Sequence, residues 1–535
     1  MSAPPNHPNG PIRIVTAAAL FDGHDAAINL MRRLIQDAGC EVIHLGHNRS
    51  VSDIVDAAIQ EDVHAVAITS YQGGHMEFFT YLRTLLDERG ASHIRIFGGG
   101  GGVIVPEEAD ALHAAGINRI YHPEDGRRMG LEGMIADLLG QCDVDLLAQE
   151  APTLESVLAG DVVAVARAIS LAEADVEKPG TLSDELKKAL HDQAAKSTAP
   201  IVGITGTGGA GKSSFTDELV LRIRADHPDL KLAVLSVDPT RKRTGGALLG
   251  DRIRMNAVYG EGCFMRSLAT RASGTELTAS IHNALAVIKA AGAELILLET
   301  SGIGQGNSAV MEVSDLAIYV MTPEYGAPSQ LEKIDMLDYA DLVVLNKFER
   351  RGAEDAFRDV RKQVRRNRKI FDGADEALPV FGTSAAHFND AGVNAAYLHL
   401  LECVSSHTDR KWSSRLTAPE SRATGKAEAV IPPNRVRYLG DIAETVRTYH
   451  ADSEKLSQSA RRAQQLLAAA EEMDGESVEI LRQKAPPTRP SCPSRIGRRL
   501  RGGKRMRAAT GLRNWSTRFA GEKFANLCTR RASPS

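Results

Sequence analysis

Residues 206–213 read GTGGAGKS, a GxxxxGK[ST] pattern set between the apolar run PIVGIT and the helical run SFTDELVLRI. A glycine loop that opens a helix turns backbone N–H groups toward an anion, so Gly209, Ala210, Gly211 and Lys212 suit a β-phosphate, with Lys212 at the β/γ oxygens. Ser213 then supplies a hydroxyl for Mg²⁺. Three acids follow in order at strand ends or loops: Asp238 in VDPT, Asp251 in GGALLGDRIRM and Glu299 in ETSGIGQ, where Gly302 would sense a γ-phosphate. With Ser213 they make a set for a hard cation, and Lys212, Asp251 and Glu299 become the candidate catalytic residues. The base is read from NKFE, residues 346–349, after the apolar strand LVVLN. A carboxylate at Glu349 accepts from guanine N1–H and N2–H₂, whereas adenine offers an acceptor at N1. Asn346 is expected to order this loop and the Lys347 stem to pack over the base. Ser384 and Ala385, in GTSA, are placed where a backbone N–H meets guanine O6. The ligand implied is GTP rather than ATP.

A second set of chemistry-bearing residues lies earlier. Residues 12–140 alternate short apolar runs (IRIVTAA, CEVIHLG, VHAVAITS, HIRIFGGGG) with helical patterns. That repetition predicts a parallel, doubly wound sheet, in which ligands sit beyond the C-terminal ends of the strands. The informative residues fall there: Asp22 and His24 in the first such loop, Ser70 with Gly73 and Gly74 in the third, and the run from Gly98 and Gly99 to Gly102 in the fourth.

The rest of the chain divides around these two α/β segments. The expected organisation is a first domain over 11–145, two polar, Ala-rich linker helices over 146–198 broken at PGTLSD, the phosphate-loop domain over 199–410, and a second helical linker over 411–483. In that linker Leu439, Ile442, Val446 and Tyr449 recur at helical spacing, with another helix expected from about 453 to 482. From residue 484 onward periodicity is abandoned, and fourteen Lys/Arg face one acid, Glu522. The tail thus carries about +13 against a whole-chain net charge of −4. No run of 18 apolar residues occurs, and MSAPPNHPNGP lacks a charged lead into an apolar stretch. No membrane segment or secretion signal is therefore expected. The six cysteines form no CxxC pair, which argues against a disulfide framework or zinc cluster and for a reducing cytoplasm.

The series GTGGAGKSS, VDPT, TGGALLGDRIRM, RSLATR, ETSGIGQ and NKFE resembles the GTPase chaperones that load and protect adenosylcobalamin-dependent acyl-CoA mutases. The segments LFDGHDAAINLMRRLIQ, ITSYQGGH and GGGGGVIVPEE resemble the cobalamin-binding module of those mutases, and the order of the two is that of the fused isobutyryl-CoA mutase family. The resemblance covers about residues 11–480. It implies a flavodoxin-like cobalamin-binding domain, a P-loop GTPase domain and a helical linker. It also implies adenosylcobalamin, GTP and Mg²⁺ as ligands, with His24 replacing the cofactor's own benzimidazole as lower cobalt ligand and Asp22 fixing its tautomer. Ser70, Gly73, Gly74, Gly98 and Gly99 would admit the nucleotide tail. Gly208, Ser214 and Arg254 join the residues implied to contact nucleotide. The chain departs from the family pattern at Ala27, which replaces the last Gly of DxHxxG, and at Glu349, where GTPases usually carry Asp.

A radical acyl-CoA mutase needs a (β/α)₈ barrel of about 250 residues. About 125 residues follow position 410. The expectation is that the reading frame changes near 484 and that this chain hydrolyses GTP and binds cobalamin without isomerising isobutyryl-CoA to n-butyryl-CoA. In the intact family enzyme the mutase domain lies in the same chain, within a homodimer. Three other readings stand beside this one. The chain could serve as a separate chaperone for a mutase encoded elsewhere. It could be a cobalamin sensor whose disordered basic tail binds nucleic acid. A metal-delivery GTPase would need a His/Cys cluster, and the sequence offers none.

Overall fold

The computed structural model describes residues 11–142, 144–241, 244–271, 277, 280–300, 309–326, 328–370, 377–425 and 438–485. Gly302 and the tail beyond residue 485 lie outside the described residues. Two parallel sheets carry the architecture, as the alternating pattern predicts. The first contains β1 (Arg13–Ala19), β2 (Glu41–Arg49), β3 (Ala65–Thr69), β4 (Arg95–Gly99) and β5 (Arg119–Tyr121), in the order β5-β4-β3-β1-β2. That is the flavodoxin-like order, with its topological switch between β1 and β3. All seven residues of β1, RIVTAAA, are buried, as a strand covered by helices on both faces must be.

The second sheet is built from β6 (Ile201–Gly206), β7 (Leu232–Asp238), β9 (Cys263–Ala269), β10 (Leu295–Glu299), β11 (Leu316–Met321), β12 (Leu342–Asn346) and β13 (Val380–Thr383), in the order β13-β12-β11-β6-β10-β7-β9. Between β7 and β9 the chain makes one more strand, β8 (Ala247–Leu249), and this strand leaves its own sheet. It pairs in parallel with β2 of the first sheet, Glu41 opposite Ala247 and Ile43 opposite Leu249. Gly246 is what lets the chain enter: a Cβ there would stand 2.1 Å from the carbonyl oxygen of Gln36. The pairing was not expected from the sequence, where ALL inside TGGALLGDR looks like part of a loop.

The exchange is locked by buried charge. Glu61, fully buried after the helix Val51–Gln60, accepts from Arg13 Nη2 at 2.7 Å and from Arg252 Nε at 2.7 Å. It also takes the Ser267 N–H of β9 at 3.1 Å. Burial alone pushes its carboxyl up, but Arg252, Arg13 and Arg266 together hold it below the usual carboxylate range. Removing one member of such a network leaves the others as buried, unpaired charge. Glu61→Gln is therefore expected to destabilise this unit by about 3 to 5 kcal/mol, read as an earlier thermal unfolding transition; an unchanged transition would show that the network contributes nothing.

The helices Leu154–Leu158, Val162–Glu177 and Asp184–Ala194 precede β6. The middle one is less polar in its setting than its sequence suggests, since Val165, Ile169 and Leu171 are buried in it. The described residues 438–485 belong to a separate unit. Its helix Tyr438–Glu471 runs 34 residues without the break expected near 450, because no Gly or Pro interrupts it there. The turn falls instead at Gly475, whose φ of +88° suits glycine, before the helix Glu476–Lys484. Leu439, Ile442, Val446 and Tyr449 are all exposed.

Candidate functional site

The phosphate loop closes β6 onto the helix Lys212–Asp226. Gly206, with φ +146°, passes so near β11 that a Cβ would lie 1.9 Å from the Val320 carbonyl oxygen; no other residue fits. Gly211 takes φ +89° as the helix cap, while Gly208 and Gly209 are exposed and Ala210 is buried. Lys212 is buried, with Nζ 3.3 Å from the Gly206 carbonyl oxygen, and Ser214 is half-buried on the following turn.

Behind the loop the expected cation ligands converge. Ser213 Oγ lies 2.8 Å from Asp251 Oδ1 and 2.9 Å from Glu299 Oε1, and Thr216 Oγ1 lies 3.1 Å from Glu299 Oε2. A hydroxyl has a single proton, so Ser213 cannot donate to both acids at once. Burial and the neighbouring Asp251 push the Glu299 carboxyl up to about 8. Asp238 is likewise raised by burial, Asp251 and Glu299, and accepts from the Gly250 N–H at 3.1 Å. Acids crowded this closely could hold a divalent cation, whose charge would offset theirs. Among the described residues no three His, Cys, Asp or Glu side chains form a ready cage. Mg²⁺ is commonly held by one or two carboxylates, with water and phosphate oxygens filling the octahedron, and Ser213, Asp251 and Glu299 could hold it in that way. Arg254, with its side chain 60% exposed, sits 3.6 Å from Asp251 Oδ1 at the rim.

The base loop is tied to the phosphate loop. Asn346 Nδ2 donates to the Ala210 carbonyl at 2.8 Å, and Lys347, with φ +59°, donates from Nζ to the Gly209 carbonyl at 2.7 Å. Glu349 accepts from Ser384 Oγ at 2.7 Å. One expectation is corrected here. The N–H of Ala385 goes to Asn346 Oδ1 at 3.1 Å and that of Ser384 to Asp390 Oδ1 at 3.2 Å, so neither is free for guanine O6. Both are consumed in fixing the loop itself.

At the C-terminal end of β1, Asp22 is buried and bonded on both oxygens. Oδ1 lies 2.9 Å from His24 Nδ1 and 2.9 Å from the His24 N–H, and Oδ2 takes the Tyr71 N–H at 2.6 Å. This sets Nδ1–H as the donor and leaves Nε2 as the free lone pair on a side chain 72% exposed. The Tyr71 ring packs beside it, with centroids 5.3 Å apart. Next to this loop a cavity of about 360 Å³ is lined by Ala27, Ile28 and Met31 of the helix Asp25–Asp37, by Gly98, Gly99 and Gly101, and by Tyr121 and Leu131. Gly98 is required by packing, since a Cβ would meet Phe79 Cζ at 2.5 Å. Ser70 Oγ is buried without a hydrogen-bond partner, as is Thr69 Oγ1, and of the two only Thr69 lines the cavity. A Cβ on Gly73 would meet nothing within 4 Å, and Gly74 caps the helix His75–Glu88. Neither lines the cavity. An apolar cleft, an unpaired hydroxyl and an imidazole with its outer nitrogen free together fit cobalamin. Tyr71 and the wall of Ile28, Met31 and Leu131 were missed in the sequence; the spacing of Ile28, Met31 and Ile35 on one helix face was the available signal.

A cobalamin-binding module and a P-loop GTPase therefore occupy one folded unit. Family models agree on both: "B12 binding domain" matches residues 12–122 and "Methylmalonyl Co-A mutase-associated GTPase MeaB" matches residues 165–424. The chain is 53% identical over 479 residues to the fused isobutyryl-CoA mutase of Geobacillus kaustophilus (strain HTA426), covering 89% of this chain and 44% of that protein. It is 55% identical over 475 residues to that of Nocardia farcinica (strain IFM 10152), covering 88% and 44%. The chain is therefore similar to the fused isobutyryl-CoA mutases over the residues that match the B12-binding and MeaB GTPase models. It spans less than half the length of these curated relatives.

Proposed function

We propose that this chain hydrolyses GTP with Mg²⁺ at Lys212, Ser213, Asp251 and Glu299, with Asp238 nearby, and holds adenosylcobalamin through His24. The observation that carries the reading is the convergence of the Ser213 and Thr216 hydroxyls on two buried acids, Asp251 and Glu299, directly behind the phosphate loop. Lys212 and the loop N–H groups hold the β/γ-phosphates, and Lys212 offsets charge that develops on the leaving oxygens. Mg²⁺, when bound by Ser213 and the acids, would neutralise phosphate charge. His24, oriented by Asp22, would hold cobalt, and Ser70 and the cavity beside Gly98 and Gly99 would receive the nucleotide tail. Adenosylcobalamin, when bound, would supply a cobalt–carbon bond open to homolysis.

Within a fused mutase the GTPase would gate loading and protection of the cofactor for interconversion of isobutyryl-CoA and n-butyryl-CoA, in a cytoplasmic homodimer. Among the described residues no helix is long and apolar enough to cross a membrane, which is compatible with that setting.

The choice of nucleotide tests the reading. Glu349, offered two guanine donors at roughly 1.5 to 3 kcal/mol each, should favour GTP over ATP by at least about 100-fold in kcat/KM. Glu349→Ala should collapse most of that ratio with Lys212 and the cation site intact. Equal turnover of ATP and GTP by the unaltered chain contradicts the reading.

A further inference from the structure

Between the cation site and the cobalt-ligand loop runs a continuous series of contacts that belongs to neither motif. Asp251, bonded to Ser213, opens a short turn Asp251–Ile253 directly after β8. Arg252 points the opposite way from Asp251, wholly buried against Glu61 and Gln60 of the cobalamin module. Ile253 then lies on the backbone of β2. A Cβ on Gly46, whose φ is +84°, would stand 2.9 Å from Ile253 Cγ1. Arg49 bonds the Leu45 carbonyl at 2.7 Å and reaches the Ile253 carbonyl at 3.4 Å.

This stretch of β2 is where pairing with β1 loses register, between Thr16 and Ala17 and again between Ala17 and Ala19. Bulges of this kind re-aim the residues around them. Here the residue re-aimed is Asn48. Its backbone is left-handed at φ +58°, and its Oδ1 accepts the N–H of Phe21 at 2.8 Å. Phe21 is also left-handed, at φ +64°, although it is 84% exposed. Non-glycine residues keep such conformations only where their surroundings hold them, and such sites cluster at switches and ligand clamps. The next residue is Asp22, which orients His24.

We propose that Asn48 is a positioning residue that carries nucleotide state from the Asp251–Ile253 turn to the cobalt-ligand loop, making cobalamin affinity depend on the nucleotide bound. This rests on the functional reading above for Asp251 and His24. The register-shifted stretch Gly46–Asn48 is the element through which the bias passes. Ile253 biases it from the nucleotide side, and Asn48 delivers the bias through the Phe21 N–H. Linkage makes the effect reciprocal, so cobalamin must alter nucleotide affinity by the same factor.

The test titrates the full chain with adenosylcobalamin in the presence of Mg²⁺ and either GDP or a non-hydrolysable GTP analogue, following the visible spectrum. The unaltered chain should show cobalamin affinities that differ by at least about 5-fold between the two nucleotides, the lower end of ordinary coupling. Asn48→Gly keeps the left-handed backbone without strain and removes the acceptor. It should bring the two affinities together while GTP turnover and the bound spectrum persist. Asn48→Asp, which retains an acceptor, should restore the difference, and Ile253→Ala should abolish it from the other end. An Asn48→Gly chain that keeps the difference, or that loses affinity equally with both nucleotides, overturns the proposal. So does an unaltered chain that binds both ligands without any difference. A chain that binds neither cobalamin nor GTP overturns the functional reading itself, and the coupling with it.

Discussion

Lys212→Ala abolishes GTP turnover by this chain, an expected loss of at least about 1,000-fold, the size of one preorganised charge contact to a transferring phosphoryl group. The reason lies in where the side chain is held. Lys212 begins the helix behind the glycine loop, is buried, and has Nζ 3.3 Å from a single loop carbonyl. An ammonium has three donors, so two remain to meet phosphate oxygens in a setting largely closed to water. Phosphate release at saturating GTP and Mg²⁺ is the measurement, and the cobalamin spectrum of the same variant is the control, because His24 lies in the other module. Turnover within about tenfold of the unaltered chain would remove Lys212 from the chemistry.

The second large effect is at cobalt. With His24→Ala, bound cobalamin should lose the spectrum of a displaced benzimidazole, since the remaining side chains of that loop offer no imidazole to take its place. Asp22→Ala should act less directly. It removes the acceptor that fixes His24 Nδ1 and the Tyr71 N–H, and should weaken cobalamin binding about 10-fold to 100-fold. A His24→Ala spectrum identical to that of the unaltered protein would contradict the assignment.

Much of this was legible in the sequence because the signals are local. A phosphate loop needs its glycines, lysine and serine within eight residues, and a strand buried on both faces declares itself as a continuous apolar run, as VHAVAITS does at β3. The pairing of Asp22 with His24 was likewise readable, because the two are separated by one residue. What the sequence hid depends on distant partners. Strand β8 is three residues long and pairs with a strand about 200 positions earlier, so no periodicity announces it. Arg13, Arg252, Arg266, Glu41, Glu61 and Glu173 look like solvated charges one at a time, and only the fold reveals that three cations and three carboxylates meet in the interior. The base loop shows the same limit: Ser384 and Ala385 arrive beside Asn346 and Glu349 as expected, but their N–H groups are used by Asp390 and Asn346.

The central claim is that a histidine of this chain, rather than the cofactor's own base, holds cobalt. Electron paramagnetic resonance tests it directly on protein grown with histidine in the heavy nitrogen isotope and loaded with cobalamin reduced to the cobalt(II) state. The unpaired electron couples to the lower ligand's nitrogen, so the account predicts that each cobalt line, split into three by the ordinary isotope, is split into two in the labelled protein, and that His24→Ala loses the change. Threefold splitting that persists in the labelled protein would mean that the benzimidazole never left, and would contradict the account.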